Sequence, residues 1–263
     1  MKICTFNVNS IRVRKDLIFS WLEHRHQDID ILFFQELKTV SENFPYQDLA
    51  QFGYNCQVSG QKRYNGVAIC TKLPQKRMLQ GYISQHWDEQ KRVIVSEIKG
   101  ITLVNIYAPH GGLRDTPQFN YKLHWYKKLL SFLDQNFSPL ADLIIAGDFN
   151  AAREDIDVWD PAVLKDTIGT MTEERQAFTK LHTWGLFDCY RYLYPQQQQF
   201  TWWDYIGGAI WQDKGLRIDY ILCTKPLLEK LDKVEVDLWP RRRRTPTPSD
   251  HAPLIATFNL SLE

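Results

Sequence analysis

Leu143-Ile144-Ile145-Ala146-Gly147-Asp148-Phe149-Asn150 decides the reading of this chain. Four apolar residues of strand-forming length run into a glycine, and a carboxylate and an amide stand directly behind it. The pattern is that of a buried strand whose end carries chemistry, and it recurs. Residues 2–8 alternate Ile3, Thr5 and Asn7 against Cys4, Phe6 and Val8; residues 29–35 are apolar and run into Gln35-Glu36; residues 102–107 end in Tyr107. Residues 218–223 carry Asp219 near their start, and residues 253–258 follow Asp250-His251. Residues 66–71 and 92–98 complete the predicted strands. Three stretches have helical spacing of apolar residues instead: 16–23, with Leu17, Trp21 and Leu22 on one face; 118–136; and 173–184, with Thr172 as N-cap. Strands and helices alternate, and no Gly/Ser linker, repeat or low-complexity tract divides the chain. This predicts one layered α/β domain over residues 1–263.

The chain has 263 residues, 44% hydrophobic and 24% charged, with Lys+Arg 32 against Asp+Glu 31. A compact chain of this size buries roughly 70–75% of its unfolded surface, so a large core is available. The balance of apolar and charged residues excludes an intrinsically disordered chain, and no stretch approaches ~18 uninterrupted apolar residues, which excludes a membrane helix. The amino-terminal stretch turns polar within its first seven residues, too early for a secretory leader, and a cytoplasmic protein is expected. Cys4, Cys56, Cys70, Cys189 and Cys223 are odd in number and lack C-x-x-C spacing. Neither a disulfide framework nor a zinc site is expected. The formal net charge of +1 says nothing of a polyanionic partner, because a binding field would have to come from local clustering.

Two stretches break the pattern. Phe200-Thr201-Trp202-Trp203-Asp204-Tyr205, ahead of Gly207-Gly208, reads as an exposed or half-exposed hairpin. Arg241, Arg242, Arg243 and Arg244, followed by Thr245-Pro246-Thr247-Pro248, read as a loop of dense positive charge.

Ligand sites in α/β proteins collect at strand ends and on the loops beyond them. One shared pocket holding Asn7, Glu36, Tyr107, Asp148, Asn150, Asp219, Asp250 and His251 is the economical arrangement. Carboxylate and amide oxygens suit Mg²⁺, with Mn²⁺ as a substitute, rather than zinc. Each residue alone has a plainer reading: Asn7 as a turn cap, Glu36 paired with Lys38 in a surface loop, Asp148 as an Asx-turn residue, His251 as a solvated imidazole. Asp219, between Ile218 and Tyr220, is stronger, because an ionised side chain in a buried strand needs a partner.

Six motifs in order then match a known pattern: Thr5-Phe6-Asn7-Val8-Asn9-Ser10-Ile11-Arg12, Gln35-Glu36-Leu37-Lys38, Asn65-Gly66-Val67-Ala68, Gly147-Asp148-Phe149-Asn150, Gly215-Leu216-Arg217-Ile218-Asp219-Tyr220 and Ser249-Asp250-His251-Ala252-Pro253. Over essentially its whole length the chain resembles the exonuclease III group of apurinic/apyrimidinic endonucleases, in the endonuclease/exonuclease/phosphatase superfamily. The resemblance implies a DNase I-like four-layered sandwich of two mixed β-sheets flanked by helices, a bound Mg²⁺ and a role in DNA repair. Position by position, it implies Glu36 as the principal metal ligand, with Asn7 and Asp250 near the metal or its waters. Asp148 matches the residue that orients or deprotonates the attacking water, and Asn150 the amide that helps hold water and phosphate. Asp219 and His251 match a carboxylate–histidine pair, Tyr107 a phosphate-contacting phenol, and Lys38 and Arg92 peripheral contacts.

Core motifs do not choose among the superfamily's substrates. The resemblance implies a small apolar pocket for an extrahelical baseless sugar at Trp202, Leu216 and Ile218, with core packing as the plain alternative for Trp202 and Trp203. The four arginines read as phosphate contacts or as a solvated basic loop. His110 departs from the family pattern, which has Asn or Gln there, and a phosphate contact through it would respond to pH near ~6.5. Asn9, where other branches carry Asp, points to a single dominant metal site. The expected protein is a monomer that cleaves double-stranded DNA 5′ to abasic sites and clears blocked 3′ ends with some 3′-to-5′ exonuclease activity. A DNase I-like nonspecific nuclease, a lipid or inositol phosphodiesterase of the same superfamily, and a catalytically idle DNA-binding homologue are the rivals.

Overall fold

The computed structural model describes residues 1–81 and 89–261. Among the described residues, twelve strands form two six-stranded sheets. In the first, the order is β11 (Leu231–Val236), β12 (Leu254–Phe258), β1 (Lys2–Asn7), β2 (Ile31–Gln35), β4 (Val67–Thr71) and β3 (Asn55–Ser59). In the second it is β5 (Arg77–Gln80), β6 (Val93–Ile98), β7 (Ile101–Tyr107), β8 (Leu143–Asp148), β10 (Asp219–Cys223) and β9 (Phe187–Asp188). Both sheets are mixed: β1 runs parallel to β2 and β7 to β8, and the other pairs are antiparallel.

Period-two alternation builds the layers. Ile3, Ile31, Phe33, Val67 and Ile69 of the first sheet face Ile94, Leu103, Ile144, Ala146 and Ile221 of the second in one dry core. The alternate residues Cys4, Phe6, Leu32 and Phe34 pack outward on α1 (Lys15–Arg25) through Ile18, Trp21 and Leu22. On the far side, Val104, Ile145 and Leu222 pack on α3 (Pro117–Asn136) and α4 (Thr172–Trp184). The result is the helix–sheet–sheet–helix sandwich expected from the sequence, with short helices α2 (Tyr46–Ala50), α5 (Cys189–Leu193) and α6 (Lys225–Leu228) at its margins. A buried polar pin crosses the dry layer. Gln35 Nε2 donates to Thr5 Oγ1 at 2.9 Å and to Asn105 Oδ1 at 2.8 Å, and Asn105 donates in turn to the carbonyls of Phe34 and Ala68.

Gly147 shows how tightly the second sheet is drawn together. Its φ is +146°, and a Cβ there would stand 1.9 Å from the Ile106 carbonyl oxygen. Only glycine lets β8 approach β7 so closely, one residue before Asp148.

Three expectations are corrected. Cys56 and Cys70 are joined by a disulfide, because they stand opposite one another in the antiparallel β3–β4 pair, with Cα atoms 4.0 Å apart. Cross-strand register, not spacing along the chain, brings them together. Thr172 is the first residue of α4 rather than its cap; Met171 holds the N-cap position, and the Glu174 carboxylate accepts from its backbone N–H at 3.1 Å. The stretch 200–205 is half-exposed but is no hairpin: Phe200, Thr201 and Trp203 are buried, Asp204 and Tyr205 are exposed, and Trp202 forms isolated bridges with Leu216 and His251.

Candidate active site

Strand ends deliver the polar residues to one place. Asn7 closes β1, Tyr107 closes β7, Asp148 closes β8 and Asp219 opens β10. Register sets the neighbours: Tyr107 and Asp219 both pair with Asp148, and Asn7 pairs with Gln35, the residue before Glu36. Beyond the strands the backbone is bent sharply, with left-handed φ at Glu36 (+52°), Lys38 (+53°) and Asn150 (+49°). Non-glycine residues held this way collect where the surrounding structure overdetermines them, often at functional sites.

A cavity of about 270 Å³ opens over these residues, lined by Glu36, Tyr107, His110, Asp148, Asn150, Ile168, Gly169, Trp202, Leu216, Ile218, Asp250 and His251. A larger groove of about 560 Å³ between α3 and α4 shares none of these residues and has no converging carboxylates.

Asn7 organises the centre. Its Nδ2 donates to Glu36 Oε1 and to Asp148 Oδ2, both at 2.9 Å, while its Oδ1 accepts from the Asn9 backbone N–H. The Lys38 ammonium sits 2.7 Å from Glu36 Oε2 and 2.6 Å from Asn9 Oδ1. Burial alone would raise the Glu36 pKa, but the Lys38 charge and the Asn7 amide hold it below its ordinary range. Asp148 goes the other way. Burial, reinforced by the Asp219 charge, pushes it up to about 7 against the pull of His251 and the donors of Asn7 and Asn150. Asn150 donates its backbone N–H to Asp148 Oδ1 at 2.8 Å and its side-chain amide to the Ala108 carbonyl at 2.9 Å. Burial, Glu36 and Asp148 raise the Tyr107 pKa, keeping its phenol protonated. Arg92 stacks 4.7 Å over that ring and donates to the Tyr107 carbonyl at 3.1 Å, so it braces Tyr107.

Glu36, Asp148 and His251 present ligand atoms within 4.8 Å of one another. Two converging carboxylates, one of them pushed up chiefly by burial and further by Asp219, are what a hard divalent cation would relieve, so this oxygen pair fits Mg²⁺. Asp250 stands outside this group. Its oxygens accept from Asn9 Nδ2 at 2.9 Å and Trp202 Nε1 at 3.0 Å, which, with His251, hold its carboxyl low despite burial. In this structure it tethers the pocket wall through Trp202 while lining the same cavity as Glu36 and Asp148.

The apolar side of the cavity is Trp202, Leu216 and Ile218, packed with Ala152, Val158 and Leu164. His110 is at the lip, where desolvation and the nearby Lys122 ammonium lower its pKa. The arginine run divides. Arg242, Arg243 and Arg244 are exposed, with Arg243 stacked 3.8 Å over Trp239. Arg241 is 5% exposed and donates to the carbonyls of Asp250, Trp203 and Asp204. Its guanidinium is engaged by backbone carbonyls, unlike those of its three exposed neighbours.

Sequence reasoning missed several supports. Asn9 joins Lys38, Asp250 and Arg14, the last through its carbonyl. Ser249 Oγ donates to the Asn7 carbonyl and accepts from the His251 N–H, a polar turn whose signal is the Ser-x-His spacing. Thr201 Oγ1 accepts from the N–H groups of Ile218 and Asp219, and no local signal marks it. Ile168 and Gly169 come from a loop that the motifs do not touch.

The model of the Endonuclease/Exonuclease/phosphatase family matches residues 4–251, a span that contains every residue of this cavity. The chain belongs to that family. Within the family it is of the exonuclease III type, and so a phosphodiester hydrolase. It is 32% identical to exodeoxyribonuclease III of Haemophilus influenzae, across 98% of this chain and 100% of that one. The fold is similar to an AP endonuclease structure from Archaeoglobus fulgidus, with a TM-score of 0.94, 36% identity and coverage of 99% of this chain and 100% of that one. It is also similar to the 3′ phosphatase NExo from Neisseria bound to a product DNA hairpin, with a TM-score of 0.92, 37% identity and coverage of 99% and 100%. Among the described residues no helix is long and apolar enough to cross a membrane.

Proposed function

We propose that this family member is a Mg²⁺-dependent DNA repair nuclease that hydrolyses the phosphodiester 5′ to abasic sites in double-stranded DNA, and that also trims and clears 3′ ends. The observation that carries the reading is one cavity with two unlike sides: the carboxylate–imidazole cluster faces the apolar wall of Trp202, Leu216 and Ile218. A phosphate at the cluster would place an adjoining sugar against that wall. A residue without a base costs little to extrude, because there is nothing to unpair.

Glu36 would hold the cation, with Asn7 linking it to Asp148. When bound, the metal supplies Lewis acidity at a phosphate oxygen. The protein's own residues supply the rest. The separated pKa values of Asp148, about 7, and His251, about 10, support Asp148 as the group that takes the proton of the attacking water. His251, carried as a cation, faces the developing negative charge, and protonated Tyr107 and the Asn150 amide are donors for non-bridging oxygens. Exposed Arg242, Arg243 and Arg244 are proposed as backbone contacts. We take the working form to be a cytoplasmic monomer.

The test is steady-state cleavage of a duplex carrying one abasic analogue, with Mg²⁺ or Mn²⁺ and then with EDTA. Incision 5′ to the analogue that EDTA abolishes is expected. Equal cutting of an undamaged duplex indicates a DNase I-like enzyme instead.

A further inference from the structure

Lys122 is a cation on an apolar stripe. It lies on the buried face of α3 with Phe119, Trp125, Tyr126 and Leu129, and it is 0% exposed. Its ammonium donates to Glu174 Oε1 at 2.5 Å, to the Asn150 carbonyl at 2.6 Å and to the His110 carbonyl at 3.2 Å. Glu174, on the first turn of α4 and also 0% exposed, accepts at Oε2 from the backbone N–H groups of Gly169 at 2.7 Å and Met171 at 3.1 Å. Neither side chain lines the cavity, yet His110, Asn150 and Gly169 all do, and they come from three separate loops.

A buried ion pair is a poor way to join two helices, since apolar residues of similar size do so at least as well. What apolar residues cannot do is hold carbonyls and N–H groups in fixed directions. Asn150 has the greatest need of this. Its backbone is left-handed, its N–H holds Asp148 Oδ1 and its side chain points to Ala108. A peptide rotation that relaxed Asn150 would swing its carbonyl off Lys122 and move both of its contacts.

We infer that the Lys122–Glu174 pair is the positioning device of the catalytic pocket, fixing Asn150, His110 and Gly169 relative to Asp148 without touching substrate. The inference rests on the proposed nuclease reading and deepens it. Displacements of about 1 Å at a reacting centre cost on the order of 10²-fold in rate, so the pair acts on kcat.

The test uses the full chain as Lys122→Met, Glu174→Gln and the double variant, with kcat and KM on the abasic-analogue duplex, Tm, and amide exchange at Asn150, Gly169 and Met171. Each single variant leaves a buried charge unpaired and loses Tm, whereas the double variant removes both charges and regains it. The carbonyls of Asn150 and His110 still lack their donor, so kcat stays down about 30–100-fold in the double variant with KM within about threefold of wild type. Exchange at Gly169 and Met171 rises in Glu174→Gln. Recovery of kcat together with Tm in the double variant reduces the pair to a structural brace and overturns the inference. So does kcat within about threefold of wild type in any folded variant. If the wild type ignores abasic sites, the proposed substrate falls, and the same comparison is made on an undamaged duplex or a 3′-phosphate end. Should it cleave none of these, exchange at Asn150, whose N–H is bonded to Asp148 and not to the pair, decides: a rise in the double variant with Tm regained upholds the positioning role, and unchanged exchange overturns it.

Discussion

His251 Nδ1 stands 2.8 Å from Asp219 Oδ2, while its Nε2 is 3.7 Å from Asp148 Oδ2 on the neighbouring strand. The first distance is a hydrogen bond that fixes the ring, and the second is an attraction that leaves Nε2 free for another acceptor. Burial alone would push the imidazole pKa down, but Asp219, with Asp148 and Asp250 behind it, carries it up to about 10. The folded value lies above the unfolded ~6.5, so the stability this group contributes is complete below ~6.5 and is lost as pH rises through about 10. By ¹⁵N NMR, His251 of the metal-free protein should be doubly protonated at about pH 8, and Asp219→Asn should bring its titration below ~7 with at least a tenfold loss of kcat. A neutral ring at neutral pH in the wild type refutes its role as a cation.

Asp148 shifts stability in the same direction at lower pH, but here it is the charged form that is penalised. Its folded pKa of about 7 lies above the ordinary 3.8, so the folded state holds this proton more tightly than the unfolded chain does. Its contribution to stability is complete below the ordinary value and lost as pH climbs through about 7. Metal-free wild type should therefore lose more Tm than Asp148→Asn between about pH 5 and pH 8. Mg²⁺ should raise the Tm of the wild type more than that of the variant. Turnover should fall about 10²–10⁴-fold in Asp148→Asn with little change in KM. Parallel Tm–pH curves for the two proteins count against a strained carboxylate.

The strands that were legible in the sequence are those buried on both faces, because continuous apolar runs announce them. Residues 143–146 and 102–107 fall inside β8 and β7, and 29–35 overruns β2 by two residues at its start. Edge strands β3, β5, β9 and β11 went unseen, since half-wet strands such as Asn55–Ser59 and Leu231–Val236 carry mixed polarity. The cavity residues were legible because acids and amides at strand ends have no other inexpensive place to sit. What stayed hidden was made by contacts between distant segments. Arg241 looked like its three neighbours, and only the carbonyls of Trp203, Asp204 and Asp250 set it apart. Lys122 did leave a trace, a cation at an apolar position of a helix. Its partner 52 residues away left none.

Trp202 offers the cavity an indole face and ties its Nε1 to Asp250 Oδ2 at 3.0 Å. The two roles separate by substitution. Trp202→Phe keeps an aromatic wall and drops the tether, so preference for abasic over undamaged duplex, read as the ratio of kcat/KM values, should change little. Trp202→Ala removes the wall and should lower that preference about tenfold or more, since filling an apolar pocket commonly discriminates by about 1–3 kcal/mol. Metal affinity should be the same in both. Undiminished preference in Trp202→Ala places the selection of the lesion elsewhere.

The arginine run should divide by the same logic. Arg242, Arg243 and Arg244 are exposed, and replacing all three with Ser should reduce the slope of log affinity against log salt by about 1–3 while leaving Tm unchanged, because each phosphate contact contributes roughly 0.9 to that slope. Arg241→Ser alone should do the reverse. Three backbone carbonyls lose a buried donor, at a cost of about 1–3 kcal/mol, and Tm should fall by several degrees with the salt slope intact. The Asp250 carbonyl is among those three, so the loss should spread to the Asp250–Trp202 tether and raise KM for the abasic duplex. A triple variant with an unaltered salt slope would show that the exposed arginines are solvated and that DNA approaches the site from another side.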